Sequence, residues 1–422
     1  MQVHIRKARV IDPQSGYHDK TVDLLVEDGI IKNIAGTIKA DADVVIAVKG
    51  LCVSPGWVDA FADYREPGYE HKETIASGLE AAAAGGFTDV LLAPNTQPAL
   101  SSKSIIQYVT GKAKGHATSL HPLGAATQNT DGKDLAEMLD MRAHGAVAFS
   151  DGWKPVQNAG LMLKALEYIK AFDGTLIQIP VDAALASGGL MNEGIVSTGL
   201  GMAGIPALAE TLMIHRDIEL LRYTNSRLHI TGVSTATSVE MIRKAKKQGL
   251  KVTCSVTPYH LALTDEALNG YDSAFKVSPP LRGEADRLAL IKGLKDGTID
   301  CIASHHRPQE WDAKAKEFEY AADGMAVQEN TFNILWDTLK EYITIERLVE
   351  ALSTIPRDIF GLPSPEIKKG NAAALTLFTI TDTSTLALNE VKSMSKNNPF
   401  IGKELSGSVL GIINNGQTHL NK

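Results

Sequence analysis

The stretch G-W-V-D-A-F-A-D-Y-R-E-P-G, residues 56–68, decides the fold of this chain. Its first half is an apolar run typical of a buried strand, and the run leads directly into charged side chains and a Pro-Gly turn. Parallel α/β folds place their reactive groups where a strand ends in a polar loop. The stretch therefore predicts a parallel α/β fold with a site at the carboxyl end of this strand.

The chain beyond residue 56 alternates short apolar runs with helix-length amphipathic segments. The predicted strands are 57–63, 88–94, 119–127, 146–151, 175–181, 227–234, 251–258 and 299–305. The predicted helices include 74–84, 131–143, 202–223, 235–248, 285–295, 327–339 and 344–355. Eight strands, each followed by a helix, predict a (β/α)8 barrel of the TIM type over residues 56–360.

Both ends of the chain have the pattern of short strands and turns. Strands are predicted at 3–10, 21–27, 30–35 and 43–48, and again at 374–380 and 408–414. The turn signals between the first four strands favour a small antiparallel module. Residues 1–55 and 361–422 are therefore predicted to form one composite β-sandwich domain beside the barrel.

Composition excludes some classes of partner. The chain has 42 basic and 49 acidic residues and a net charge of −7, which argues against nucleic acid or an anionic membrane. No apolar run approaches the length of a membrane span. The three cysteines lie in separate apolar runs, which argues against disulfides and predicts a cytoplasmic protein.

Several motifs spread over residues 56–402 resemble those of the dihydroorotase family in the amidohydrolase superfamily. They include E-P-G-Y-E-H-K-E-T, M-N-E-G-x-V-S-T, V-T-P-Y-H-L, P-P-L-R and S-K-N-N-P-F-I-G. The resemblance implies an amidohydrolase barrel that opens a cyclic amide in pyrimidine biosynthesis. It also implies a zinc site built from histidine and carboxylate ligands, in which the metal activates water.

The residues at the family's metal positions differ from the ligands that the resemblance implies. The family motif P-G-x-x-D-x-H-x-H-x-R-E-P-G places two zinc-binding histidines where this chain has a phenylalanine and an aspartate. Three later motifs, A-F-S-D-D-G-x-P-V, H-[CA]-E-D and H-[VI]-x-H-V-S-T, supply the other positions. The residues found there are Phe61, Asp63, Asp151, Ile179 and Gly232.

The family's catalytic aspartate is also replaced. The motif C-I-A-[ST]-D-H-A-P-H corresponds to C-I-A-S-H-H-R-P-Q, so the proton-transferring position holds His305. Phenyl, alkyl and hydrogen side chains have no atom that can bind a metal. The sequence therefore predicts neither an intact catalytic set nor a bound zinc.

Two substrate-holding positions of the family remain, Arg65 and Asn95. A guanidinium group is the natural partner of a carboxylate, so both residues are candidates for binding a small carboxylate ligand. The alternative for Arg65 is an ion pair with Asp63 or Glu66.

Three hypotheses follow. The first is a structural subunit without hydrolase activity, which forms a homo-oligomer or, as the resemblance implies, assembles with an aspartate transcarbamoylase. The second is an active cyclic amide hydrolase with one metal ion held by Asp63, Asp151 and His305. The third is a non-catalytic sensor in which Arg65 and Asn95 bind a carboxylate.

Overall fold

The strands of the protein are given by the computed structural model, which describes residues 1–421. They are β1 (Gln2–Val10), β2 (Thr21–Glu27), β3 (Ile30–Ala35), β4 (Val44–Ile46), β5 (Leu51–Pro55), β6 (Trp57–Ala62), β7 (Phe87–Leu92), β8 (Ser119–Gly124), β9 (Ala148–Phe149), β10 (Leu176–Gln178), β11 (Met191–Asn192), β12 (Gly204–Ile205), β13 (Leu228–Thr231), β14 (Val252–Val256), β15 (Cys301–Ile302), β16 (Leu375–Thr385), β17 (Glu404–Asn414) and β18 (Gln417–Leu420).

The helices lie mainly between the strands of the barrel. They are α1 (Ile75–Ala84), α2 (Lys103–Lys112), α3 (Met138–Ala143), α4 (Ala159–Lys170), α5 (Ile195–Leu200), α6 (Leu208–Thr224), α7 (Ala236–Lys247), α8 (Pro258–Ala262), α9 (Glu284–Lys295), α10 (Trp311–Lys314), α11 (Thr331–Leu339), α12 (Ile345–Leu352) and α13 (Thr354–Phe360). Across residues 1–421, no helix combines the length and the apolar content that crossing a membrane requires.

Eight parallel strands form the predicted barrel, in the order β6-β7-β8-β9-β10-β13-β14-β15. The chain that follows β15 closes it against β6. His305 N donates to Phe61 O at 3.0 Å, and Asp63 N donates to His306 O at 2.9 Å. The predicted (β/α)8 fold is confirmed, and each predicted barrel strand overlaps an observed one.

Several predicted helices have different limits in the structure. The segment 131–143 is helical only in α3, and 202–223 only from Leu208 onward, because β12 and Pro206 precede it. The segment 344–355 contains two helices, since Ser353 leaves the helical conformation with φ −124° and ψ −79°. Its side chain instead donates to Gly56 O at 2.8 Å, which ties the break to the start of β6.

Strands from both ends of the chain form one eight-stranded mixed sheet, in the order β18-β17-β16-β5-β1-β2-β3, with β4 beside β1. The prediction that the N-terminal module is antiparallel was wrong for two strands, because β4 and β5 run parallel to β1. The sequence pattern also missed β5 and β18. The domain limits at 55/56 and 360/361 stay a prediction.

An aromatic cluster joins this sheet to the barrel. The Trp57 ring of β6 lies 5.0 Å from that of Phe332 in α11 and 5.2 Å from that of Phe378 in β16, between ring centroids. All three side chains are buried in the same hydrophobic core as the helices of the barrel. The sheet and the barrel therefore share apolar packing.

Candidate functional site

The barrel mouth, defined here by Asp63, Trp153, Gly232, His305 and Arg307, lies at the carboxyl ends of four strands. Asp63 follows β6, Trp153 follows β9, Gly232 follows β13, and the other two follow β15. Parallel barrels place their chemistry at this end. The closing hydrogen bonds between β6 and the chain after β15 bring the first and last of these segments side by side.

Asp63 is fully buried and surrounded by donors from its own chain. Trp153 Nε1 donates to Asp63 Oδ2 at 2.7 Å, and Arg65 Nε forms an ion pair with the same oxygen at 2.9 Å. The backbone N–H of Arg65 donates to Asp63 Oδ1 at 3.3 Å. The sequence allowed an ion pair of Arg65 with either Asp63 or Glu66, and in the structure Arg65 pairs with Asp63.

His305 is packed among rings. Its ring centroid lies 5.0 Å from that of Phe61 and 5.3 Å from that of Trp153. Its Nε2 is 2.7 Å from Thr231 Oγ1. Burial, together with nearby positive charge, lowers the pKa of His305 well below its usual value. The side chain is thus a neutral imidazole that fills the barrel interior.

Gly232 and Ile179 offer no donor atom to a metal. Gly232 has a φ of +76°, and a Cβ atom there would lie 2.6 Å from His305 Cε1. Ile179 is buried in a cluster that also contains Phe61. Apolar packing and the His305 ring therefore occupy the space around these two positions of the family pattern.

Asp151 and Asn95 hold the loop that carries Trp153. Asp151 accepts hydrogen bonds from Thr127 N at 2.8 Å and from Thr127 Oγ1 at 2.5 Å. Burial raises the pKa of Asp151, although these hydrogen bonds oppose the shift. Asn95 Nδ2 donates to Asp151 O at 2.9 Å, and Asn95 Oδ1 accepts from Trp153 N at 2.8 Å. The amide of Asn95 is therefore engaged on both sides.

The zinc that the family implies does not fit these residues. Three of the family positions hold phenyl, alkyl or hydrogen side chains, and the Asp63 carboxylate is bound by Arg65 and Trp153. A site with a single metal ion does not fit these residues either. Asp63, Asp151 and His305 each form a hydrogen bond with a different residue of the protein. Within residues 1–421, no three His, Cys, Asp or Glu side chains are grouped so as to hold a metal ion.

Sequence reasoning missed Trp153 and Arg307 as members of the site. The guanidinium carbon of Arg307 lies 4.4 Å from the centroid of the Trp153 ring, a cation–π contact. Both residues stand inside quoted motifs, where the family patterns have a glycine and an alanine respectively. The signal was therefore present: at two strand ends, large side chains replace small ones.

Comparison with solved structures identifies the class of fold. The chain superposes on the L-hydantoinase (dihydropyrimidinase) of Arthrobacter aurescens with a TM-score of 0.87 at 22% identity, covering 100% of this chain and 96% of the other. For the dihydropyrimidinase of Brevibacillus agri the TM-score is 0.82 at 22% identity, covering 100% and 95%. The fold is the amidohydrolase-type barrel with an accessory sheet.

Sequence comparison identifies the family within that class. Residues 50–238 match the family model described as dihydro-orotase-like. A dihydroorotase of Acetivibrio thermocellus is 42% identical over 415 residues, which cover 98% of this chain and 97% of the relative. A dihydroorotase of Syntrophus aciditrophicus is 41% identical over 422 residues, covering 99% of each. The chain belongs to the dihydroorotase family.

Proposed function

We propose that this chain is a dihydroorotase-family protein without hydrolase activity, which serves as a structural subunit in an assembly. The observation that carries the proposal is the filled barrel mouth, in which Phe61, Trp153 and His305 pack against one another. A metal-dependent hydrolase needs oxygen or nitrogen ligands and an open position for water there.

The state of the polar groups supports the same conclusion. A general base must reach the proton that it removes. The side chains of Asp63 and His305 are fully buried and bonded to Trp153, Arg65 and Thr231. Neither residue reaches solvent, so neither is available to activate water.

The surface carries large apolar side chains that a partner in an assembly would bury. Ile195 is 92% exposed, Trp311 is 79% exposed and Tyr223 is 77% exposed. Side chains of this kind are common at protein–protein contacts. We propose as partners a second copy of this chain, an aspartate transcarbamoylase, or both. The proposal places the chain in the cytoplasm, in keeping with its three buried, unpaired cysteines.

Activity and metal content measured on one preparation test the loss of catalysis. The chain, purified without chelator, is analysed for zinc and assayed for dihydroorotate ring opening with and without added zinc. The Acetivibrio thermocellus relative, treated identically, is the positive control. We expect no turnover and less than stoichiometric zinc. Turnover near that of the relative would overturn the proposal.

Light scattering after size-exclusion chromatography tests the assembly role. The chain is measured alone and after mixing with the aspartate transcarbamoylase of the same organism. A discrete oligomer or a stable mixed complex is expected. A monomer in both samples, at concentrations well above the micromolar range, would contradict the role as a subunit.

A further inference from the structure

Arg307 carries a guanidinium group that has no polar partner in the described part of the chain. Its Nε is enclosed and makes no hydrogen bond. No Asp or Glu oxygen among residues 1–421 lies within the 4.0 Å of an ion pair with it. Buried or half-buried arginines normally bind a carboxylate or backbone carbonyls through several N–H donors. Among residues 1–421, this charge makes one cation–π contact, with the face of the Trp153 ring.

The acidic groups near Arg307 are shared with other cations. Arg65 is nearby, but the charge of Asp63 is already taken by Arg65 at 2.9 Å. Asp323 is the other acidic residue near Arg307, and Lys276 and Lys314 also lie near it. Burial lowers the pKa of Arg307, and the charge of Arg65 lowers it further, against the opposing effect of Asp323 and Asp63.

Two lysines also lie near Asp323, together with the acidic residues Glu319 and Asp272. Lys276 Nζ donates to Phe318 O at 2.8 Å, and Lys314 Nζ donates to Ala322 O at 2.9 Å. Burial lowers the pKa of Lys314 to about 8, and the charges of Lys276 and Arg307 contribute to the shift. Asp323 is therefore an acidic neighbour common to Arg307, Lys276 and Lys314, so its charge is shared among three cations.

We propose that Arg307, which is partly exposed at the edge of the filled barrel mouth, binds a small oxyanion, a carboxylate or a phosphate, through its guanidinium, with the Trp153 ring as the floor of the site. A planar fork of N–H donors suits two oxygens of either group, and the missing partner of Arg307 is then the ligand. The site requires no turnover, so it goes beyond the proposed structural role and does not depend on it.

This site differs from the carboxylate-binding pair predicted from the sequence. Arg65 Nη1 donates to Asn95 O at 3.3 Å, and Arg65 Nε lies on Asp63. The Asn95 amide holds the backbone around Asp151 and Trp153. Both residues are engaged by protein groups, whereas the Arg307 guanidinium has neither a hydrogen bond nor an ion pair among residues 1–421. Arg65 and Asn95 position the floor of the site, and Arg307 binds the anion.

Isothermal titration calorimetry at constant ionic strength tests the proposal on the full-length chain. The probes are inorganic phosphate and succinate, each compared with sodium chloride. We expect saturable binding of at least one of them. Substitution Arg307→Gln should weaken it about 10- to 100-fold, the loss typical of hydrogen bonds to a charged group.

Arg227→Gln is the matched control, because this arginine precedes β13 at the opposite end of the barrel and pairs with Asp173. It should leave anion binding unchanged. Arg307→Lys keeps the charge without the fork and should bind more weakly than the wild type, which keeps the test valid if Arg307→Gln does not fold.

Three results would overturn the anion site. They are the absence of saturable binding beyond the chloride control, unchanged binding in both Arg307 variants, and equal loss in Arg227→Gln. Preference for phosphate over succinate, or the reverse, identifies the ligand class within a supported site. Hydrolase activity is measured in a separate assay. Turnover in that assay would refute the proposed function without affecting the evidence for the anion site.

Discussion

Gly232 and His305 are the two residues whose geometry most limits what the barrel mouth can hold. The glycine has a left-handed backbone, and the imidazole lies where its side chain would begin. His305 is in turn fixed by Thr231 and by the rings of Phe61 and Trp153. Each of the two positions therefore restricts the residue that the other tolerates.

We expect Gly232→Ala to destabilise the protein strongly, because it adds both backbone strain and a clash with His305. Gly297→Ala is the matched control: Gly297 has a φ of +78° and open space around it. Urea denaturation should show a loss for Gly232→Ala that exceeds the loss in the control by about 1–3 kcal/mol. The excess should shrink in a His305→Ala background. Equal losses in both glycine variants would refute the clash.

Asp63→Asn should be costly, because it removes the charge that pairs with Arg65. The side chain of Asp63 is 0% exposed and that of Arg65 is 13% exposed, so the remaining guanidinium charge would be largely out of water. We expect a loss of about 2–4 kcal/mol in the free energy of unfolding. The exposed pair of Arg227 with Asp173 is the comparison, and Asp173→Asn should cost less than about 1 kcal/mol. Similar small losses for both would show that the Asp63 pair contributes little.

At the scale of elements, α13 is fastened to the amino-terminal end of the barrel by one charge network. Arg357 Nη2 donates to Asp89 Oδ2 at 2.5 Å and to Gly56 O at 3.0 Å, and His121 Nε2 lies 2.8 Å from Asp89 Oδ1. Burial acts to raise the pKa of Asp89, but the His121 hydrogen bond and the Arg357 charge outweigh it. The resulting pKa is about 2, below the ordinary 3.8.

This network predicts an acid-sensitive contribution to stability. Because the folded pKa is the lower one, the stabilisation is complete above about pH 4 and is lost as the pH falls toward about 2. It amounts to about 2 kcal/mol. Asp89→Asn should therefore be destabilised at neutral pH, and its deficit relative to the wild type should narrow in acid. Denaturation curves over the acidic range in which both proteins stay folded check this, and a deficit independent of pH would contradict it.

Element boundaries show where sequence patterns lose information. All eight barrel strands were predictable from their apolar runs, yet β9 and β15 have only two residues each in the structure. The apolar pattern continues beyond both strands because Ala146, Ile299 and Ala303 are buried as loop residues. Burial produces the apolar pattern in the sequence, whereas backbone hydrogen bonding defines the strand. The apolar pattern and the strand therefore need not end at the same residue.

At the scale of the whole molecule, the accessory sheet and the barrel share the aromatic cluster of Trp57, Phe332 and Phe378. Asn414 of β17 adds hydrogen bonds from its Nδ2 to Thr88 O at 3.1 Å and to Ala117 O at 2.8 Å. Apolar and polar contacts therefore both link the two parts.

Trp57→Ala is expected to weaken both parts together, by about 3–5 kcal/mol, since it empties a fully buried site between them. Hydrogen exchange read by mass spectrometry should show increased exchange in β7 and in β16 alike. Trp311→Ala is the control, because that side chain is 79% exposed and should have little effect. Loss of protection confined to one of the two sheets would show that they unfold independently.

The fold could be derived from the sequence, because strand patterns and motif spacing are local features of the chain. The side chains that fill the barrel mouth could not be derived in this way. Trp153 and Arg307 are 154 positions apart in the sequence, and they meet only across the mouth of the folded barrel. No periodicity reports that an indole donates to Asp63 or that a guanidinium is left without a carboxylate.

The His305 ring beside Gly232 also has an evolutionary consequence. A metal-binding histidine at position 232 would have to enter the space that His305 occupies. Any mutational path that places a histidine at position 232 must therefore change position 305 first, or change both together. The contact between the two positions thus fixes the order in which they can change.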